Sequence, residues 1–272
     1  MSGFTRGTLR DRLSIAVLLL ILLAALFAPW LAPYSPYQQD LANSLLDPSL
    51  AHPLGTDDLG RDVLSRLLYG ASITLYASFL AVGVACALGI PIGLLAGFLG
   101  GWVDEAIGRL IDTLLSFPAI VLAIAVTGAL GVGLTDAMLA IGIVFSPMLA
   151  RLARAQTLLV RHELYVDAAR CFGAGLTRIL LRHILPNAVQ PLIVQATLLL
   201  AAALLAESGL SFLGLGVQAP DPSWGTMLAR AYGYMDIAPG QTYAPGIAIL
   251  VTALAFNGVG EWLRGLLDRR RR

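Results

Sequence analysis

The 272-residue chain contains no lysine, and all eighteen of its basic residues are arginine. A phosphate-binding P-loop needs a lysine to reach the β and γ phosphates of a nucleotide, so a P-loop ATPase is excluded. Only two cysteines are present. Cys86 falls in an apolar segment and Cys171 in a polar one, which excludes a disulfide framework. The three histidines, His52, His162 and His183, are too scattered to form a metal cluster. There is no G-x-S-x-G elbow and no H-E-x-x-H pair, so an enzyme is not expected. Charge is scarce as well. Charged residues make up 13% of the chain against 57% hydrophobic, and the mean hydropathy is +0.78. That balance describes an integral membrane protein with no room for a large soluble domain.

Apolar runs of about 20 residues are long enough to cross a bilayer. Six are expected, over residues 15–32, 73–99, 114–130, 134–150, 188–210 and 245–262. The second carries Gly89, Pro91, Gly93 and Gly97, which predicts a kink or a close helix contact. The first is read as a retained signal anchor, because no small-residue cleavage site follows it and Ala32-Pro33-Tyr34-Ser35-Pro36 does. With these spans, fifteen arginines fall on one side: Arg6, Arg10, Arg12, Arg109, Arg151, Arg154, Arg161, Arg170, Arg178, Arg182, Arg264 and residues 269–272. Arg61, Arg66 and Arg230 fall on the other. The positive-inside rule then places both termini in the cytoplasm of a multi-pass inner-membrane protein. Asp57, Asp58 and Asp62 lack the glutamate that a twelve-residue calcium loop needs, since that position is Leu68. With Thr56 they are expected to cap a helix over residues 59–69 lying on the outer membrane surface.

The polar interval from Arg151 to Pro186 separates two of the apolar runs. Within it, Leu164, Ala168 and Cys171/Phe172 share one helical face, and Glu163, Asp167 and Arg170 share another. Gly173 suits a helix end that requires positive φ, and Pro186 marks the start of the next span. A helix this short has nothing of its own to bury its apolar face against, and paired alanines admit close backbone approach, so another protein is expected to cover it.

The spacing Asp167-Ala168-Ala169 with Gly173 and then Leu185-Pro186 resembles the EAA loop of ABC-importer permeases. Asp167 stands where that pattern has Glu, and His183 at its isoleucine position. Arg182-His183-Ile184-Leu185-Pro186-Asn187 is similar to the form in the dipeptide, oligopeptide and nickel branch. The stretch from His52 to Arg66, and Ser211-Phe212-Leu213-Gly214-Leu215-Gly216 with Pro222-Ser223-Trp224-Gly225, resemble the "C" permease subunit of that branch.

The resemblance implies an all-α membrane domain of type I ABC-importer fold with six spans. Residues 1–70 would form the anchor helix and periplasmic segment, and residues 71–272 the core with its EAA-like loop at 163–186. It implies a homologous second permease, two cytoplasmic ATPase subunits and a periplasmic or lipid-anchored solute-binding protein. No nucleic acid is implied, and no cofactor on this chain, with ATP and Mg carried by the partners. Glu163, Leu164, Tyr165, Asp167, Ala168, Ala169, Arg170, Phe172, Gly173 and Pro186 become the ATPase-coupling set. Glu207, ionisable within a span, is a candidate for the pathway or outer gate, weighed against a plain acceptor of hydrogen bonds from Ser208 or backbone. A secondary transporter driven by an ion gradient is the alternative, although no inverted repeat or midplane charge supports it. A non-transporting membrane scaffold is a third reading.

Overall fold

The computed structural model describes residues 8–269. Arg6 and residues 270–272, counted in the arginine asymmetry, lie outside them. Eleven α-helices occur among the described residues, and there is no strand: α1 (Leu9–Leu26), α2 (Ala28–Leu31), α3 (Val63–Leu99), α4 (Gly101–Leu115), α5 (Ala119–Leu130), α6 (Leu134–Val160), α7 (Leu164–Cys171), α8 (Leu176–Ile179), α9 (Leu185–Phe212), α10 (Trp224–Tyr232) and α11 (Gly240–Arg269). A π-helical turn, Leu180–Ile184, joins α8 to α9. It accommodates Pro186, which has no N–H to give and whose ring crowds the turn before it.

Four stretches are long and apolar enough to cross a membrane: Val63–Leu99, Leu134–Val160, Leu176–Phe212 and Gly240–Leu267. The bent pair α4 and α5 makes up to five. The remaining apolar helix, α1, has 18 residues that include Arg10, Asp11 and Arg12.

Two expectations are corrected. Residues 114–130 are not one continuous span, because α4 and α5 meet at 97°. Pro118 is the reason: it cannot donate to the preceding turn and holds Phe117 away from helical dihedrals. Alone, α5 is only about 18 Å long at 1.5 Å per residue. The separate surface helix over residues 59–69 does not form either. The helix begins at Val63, where Asp62 accepts from the Ser65 amide at 2.7 Å, and runs on unbroken to Leu99. Thr56 takes another role, its hydroxyl donating to the Asn43 carbonyl at 2.6 Å and accepting from the Leu46 amide at 2.9 Å.

The core is built on α3 packed along α6, with α9 closing against both. Small residues set the α3–α6 distance. A Cβ on Gly93 would run into the Ala150 carbonyl and lie 2.7 Å from Ala153 Cβ, and one on Gly97 would lie 2.7 Å from Thr157 Cβ. Gly142 on α6 repeats the arrangement against Val84, at 2.6 Å. This is the close contact expected from the glycine spacing, made by small residues one turn apart. A second apolar cluster joins α1, α3, α9, α10 and α11 around Phe256, Leu204 and Trp224.

The end of the bundle away from α7 is locked by a polar cap. Arg61 and Arg66 are 2% and 3% exposed. Arg61 Nε donates to Asp57 at 2.7 Å, Arg66 Nη1 to the Pro36 carbonyl at 2.8 Å, and Arg230 Nη1 to Asp58 at 3.0 Å. Together these bind the segment before α3 to α3 and α10.

Candidate coupling site

The arginine-rich end carries α7, hung between α6 and α9. Three residues separate it from α6, and the turn is closed by the Glu163 amide donating to the Val160 carbonyl at 3.1 Å. Glu163 is extended at the N-cap and leaves its side chain out of the cap. The helix stops after one more turn. Gly173 has φ +75° and donates to the Arg170 carbonyl at 2.9 Å, and Ala174 donates to the Ala169 carbonyl at 3.0 Å. No other atom comes near a Cβ built on Gly173. Glycine is therefore required by the left-handed backbone and not by space.

One side chain fastens α7 to the body. Val166 is fully buried, in a cluster with Leu94 of α3, Ile179 at the end of α8, and Leu180 and Ile184 of the π-helical turn. Arg170 adds a second tie: its guanidinium lies 5.0 Å over the Phe98 ring and donates to Asp167 at 3.1 Å. Burial pushes the Tyr165 phenol above its ordinary value, with the Glu163 carboxylate acting in the same direction. The remaining face points outward. Leu164 is 86% and Phe172 93% exposed, and Asp167, Ala168 and Cys171 are exposed beside them. Of the two alanines, Ala168 is open and Ala169 half-buried. Pro186 stands apart at the first turn of α9, exposed.

The helices behind α7 are cross-tied at the same end. Arg161 Nη1 donates to the Gly97 carbonyl at 2.9 Å, joining the foot of α6 to the end of α3. Arg154 forms a two-pronged pair with Asp104, Nη2 to Oδ2 at 2.7 Å, and Arg151 pairs with Asp112, so α4 is strapped to α6. Sequence reasoning missed these ties because their members lie tens of residues apart. It also missed Val166, a lone valine between Tyr165 and Asp167.

Glu207 lies at the opposite end and is not part of this site. It is fully buried and accepts from Ser211 Oγ at 2.7 Å and Ser208 Oγ at 3.4 Å. Backbone of Ser208 in turn packs so tightly on α10 that a Cβ on Gly225 would lie 2.6 Å from its carbonyl oxygen.

A model of the family described as "binding-protein-dependent transport system inner membrane component" matches residues 89–272, which contain α4 to α11. The chain belongs to that permease family. A second model, the N-terminal TM domain of oligopeptide transport permease C, matches residues 12–48 of the permease. Among curated relatives, the dipeptide transport system permease protein DppC of Alkalihalophilus pseudofirmus is 42% identical over 95% of this chain and 86% of its own length. The probable D,D-dipeptide transport system permease protein DdpC of Escherichia coli is 45% identical over 94% and 86%. The glutathione transport system permease protein GsiD of Pectobacterium atrosepticum is 41% identical over 97% and 89%. Two inward-facing structures of the MetNI methionine ABC transporter superpose with TM-scores of 0.61 and 0.58 at 19% and 20% identity. They cover 75% and 74% of the permease, and 97% and 96% of the solved chains. This likeness shows the type I ABC-importer transmembrane fold. The chain is thus a permease subunit of an ATP-driven ABC importer, and none of the relatives supports an ion-gradient carrier or a scaffold.

Proposed function

We propose that α7 is the element through which a cytoplasmic ATPase subunit drives this permease. The observation that carries the reading is the division of α7 into one sealed anchor and one open face: Val166 is buried while Leu164 and Phe172 are almost wholly exposed. A free apolar face on a helix of eight residues is what a protein cleft would cover. Because α6 enters α7 through a closed turn and α7 leaves toward α9, displacement of α7 is passed to two helices of the core. Closure of two ATPase subunits on nucleotide would then rock α6 and α9, a two-state element biased by nucleotide on one side and by a loaded receptor on the other.

The remaining assembly follows from the same reading. A homologous second permease completes the pathway, and a periplasmic or lipid-anchored binding protein delivers the solute. Both termini are cytoplasmic, α1 serves as the sixth span, and the anchor helix and periplasmic segment expected over residues 1–70 end at Val63, since α3 runs unbroken through residue 70 into the core. The solute is a di- or oligopeptide or a molecule of similar size, as the dipeptide and glutathione relatives indicate. This chain carries out no catalysis, and ATP and Mg bind the partners. Glu207 is a structural acceptor and not a path-lining group, held by Ser208 and Ser211 of its own helix and by Ser223 before α10, a role its burial supports.

The test uses Ala168→Arg and Gly173→Val in cells whose uptake depends on this permease. Ala168 is exposed, so arginine is accommodated by the free chain yet collides with a covering partner. Valine at Gly173 meets no neighbour but resists positive φ, at about 1 to 2 kcal/mol. Both variants are expected to insert normally while losing uptake and co-purifying ATPase. Full uptake with full ATPase association in both would remove α7 from the coupling path.

A further inference from the structure

Away from α7, a cavity of about 320 Å³ opens where α9 lies between α6 and α11. Leu152, Val194 and Leu198 form its apolar wall, and Gln190, Gln195 and Arg264 supply its polar groups. Arg264 has no ion-pair partner among the described residues, and the Gln190 and Gln195 amides have no hydrogen-bond partner there. A permanent cation and two amides lining one space, without partners among the described residues, supply the donors that suit an oxyanion.

The lining is graded along the membrane normal. Arg264 stands two residues past Trp262, at the arginine-rich end of α11. Leu198 lies eight residues beyond Gln190, about 12 Å further toward the bilayer interior. A matching ligand has its charge at one end and its apolar part at the other. Among the described residues the lining contains no carboxylate, so a zwitterionic peptide would leave its ammonium unpaired there. The volume falls at the lower end of small-molecule sites and admits a headgroup with the first part of one chain.

We propose that this cavity binds an anionic phospholipid, with its phosphate on Arg264, its ester oxygens within reach of the glutamine amides, and the first acyl methylenes against Val194 and Leu198. Basic pockets between membrane helices hold such headgroups by charge together with chain burial. The site stands independently of whether α7 meets an ATPase.

The test takes the transporter assembled with its partner subunits, in nanodiscs of phosphatidylcholine with graded phosphatidylglycerol, and counts retained lipid by native mass spectrometry. Arg264→Gln should lower phosphatidylglycerol retention about tenfold, the scale of one charge-assisted hydrogen bond, and leave phosphatidylcholine retention unchanged. Arg264 is exposed, so this variant leaves the packing intact. Leu198→Trp, which fills the apolar end without touching the charge, should reduce retention as well. Arg178→Gln removes an exposed arginine elsewhere at the same end and should have no effect. Wild-type retention in Arg264→Gln, or an equal loss in Arg178→Gln, overturns the proposal. Displacement of the lipid by a dipeptide would overturn it too and assign the cavity to the solute path.

Discussion

The most direct perturbation of the proposed coupling element is Val166→Ala, because α7 has so little else to hold it. A helix of eight residues is too short to persist in water by its own hydrogen bonds, given the cost of its nucleus. Its position therefore depends on Val166 in the cluster with Leu94, Ile179, Leu180 and Ile184, supplemented by Arg170 over Phe98. Alanine deletes two buried methyl groups, about 0.8 kcal/mol each in transfer terms. A cavity term raises the total to about 2 to 3 kcal/mol, since the surrounding leucines and isoleucines close the gap only in part. At about 1.4 kcal/mol per factor of ten, the undocked population of α7 should rise about thirtyfold or more. The measurement is amide hydrogen exchange by mass spectrometry over residues 164–172 of the purified permease, with residues 77–97 of α3 and 137–157 of α6 as internal references. Faster exchange confined to α7 and a parallel fall in uptake are expected. Unchanged exchange over α7 would show that Val166 is not the anchor. An equal rise over α3 and α6 would show that the valine supports the whole bundle, which the placement of its cluster at one end argues against.

Two further outcomes follow from other parts of the molecule. Gly93→Leu should lower the unfolding temperature of the detergent-purified permease strongly, by the equivalent of about 3 kcal/mol or more, because its Cβ meets the Ala150 carbonyl and Ala153 before any larger atom is placed; Gly108→Ala on α4, with open space around it, should be nearly neutral. Tyr37, whose hydroxyl donates to Asp221 at 2.8 Å, is held above its ordinary value of 10.0 by that bond first and by burial second. Its contribution is therefore complete below pH 10 and lost as pH rises through the raised value, so a pH-dependent melt should show a smaller alkaline loss of stability in Tyr37→Phe than in the parent.

The parts of the fold that could be read from the chain are those whose signal is local. Apolar runs located α3, α9 and α11 because a bilayer demands about 20 apolar residues in a row and little else does. Gly173 was legible because a positive φ at the end of a helix nearly specifies glycine. The missed features needed distant partners. The bend at Pro118 was hidden because hydropathy averaged over residues 114–130 stays high across the proline. Residues 101–113 went unplaced because they are amphipathic and contain no long apolar run; Glu105 and Arg109 pair within the helix, but the partners of Asp112 and Asp104, Arg151 and Arg154, lie about 40 and 50 residues on. The surface helix over residues 59–69 failed for the converse reason: no breaker separates its amphipathic pattern from the apolar run that follows, so one helix takes both. In α7 the periodicity identified the outward face, Leu164, Ala168 and Phe172, whereas the anchor is the single valine on the other side.

The ion pairs are sealed at one end of the molecule and more exposed at the other. At the cap away from α7, Asp57, Asp58, Arg61 and Arg66 are nearly sealed, with side chains at most 13% exposed. Removing one partner from a buried set costs about 3 to 5 kcal/mol, because the other charge is left without water or counterion. At the arginine-rich end the ion pairs between helices are more exposed: Arg10 with Glu261 at 71% and 57%, Arg151 with Asp112 at 56% and 71%, and Arg154 with Asp104 at 35% and 18%. Exposed pairs contribute about 0 to 1 kcal/mol and exchange readily with water and salt. The exposed pairs therefore hold the helices less firmly at the end of α7 than the sealed set does at the far cap, with the half-buried Arg154–Asp104 pair between the two. On the proposed coupling role of α7, a push on that helix would be converted into rotation about the buried cap, the direction of motion that an importer driven from its arginine-rich end requires.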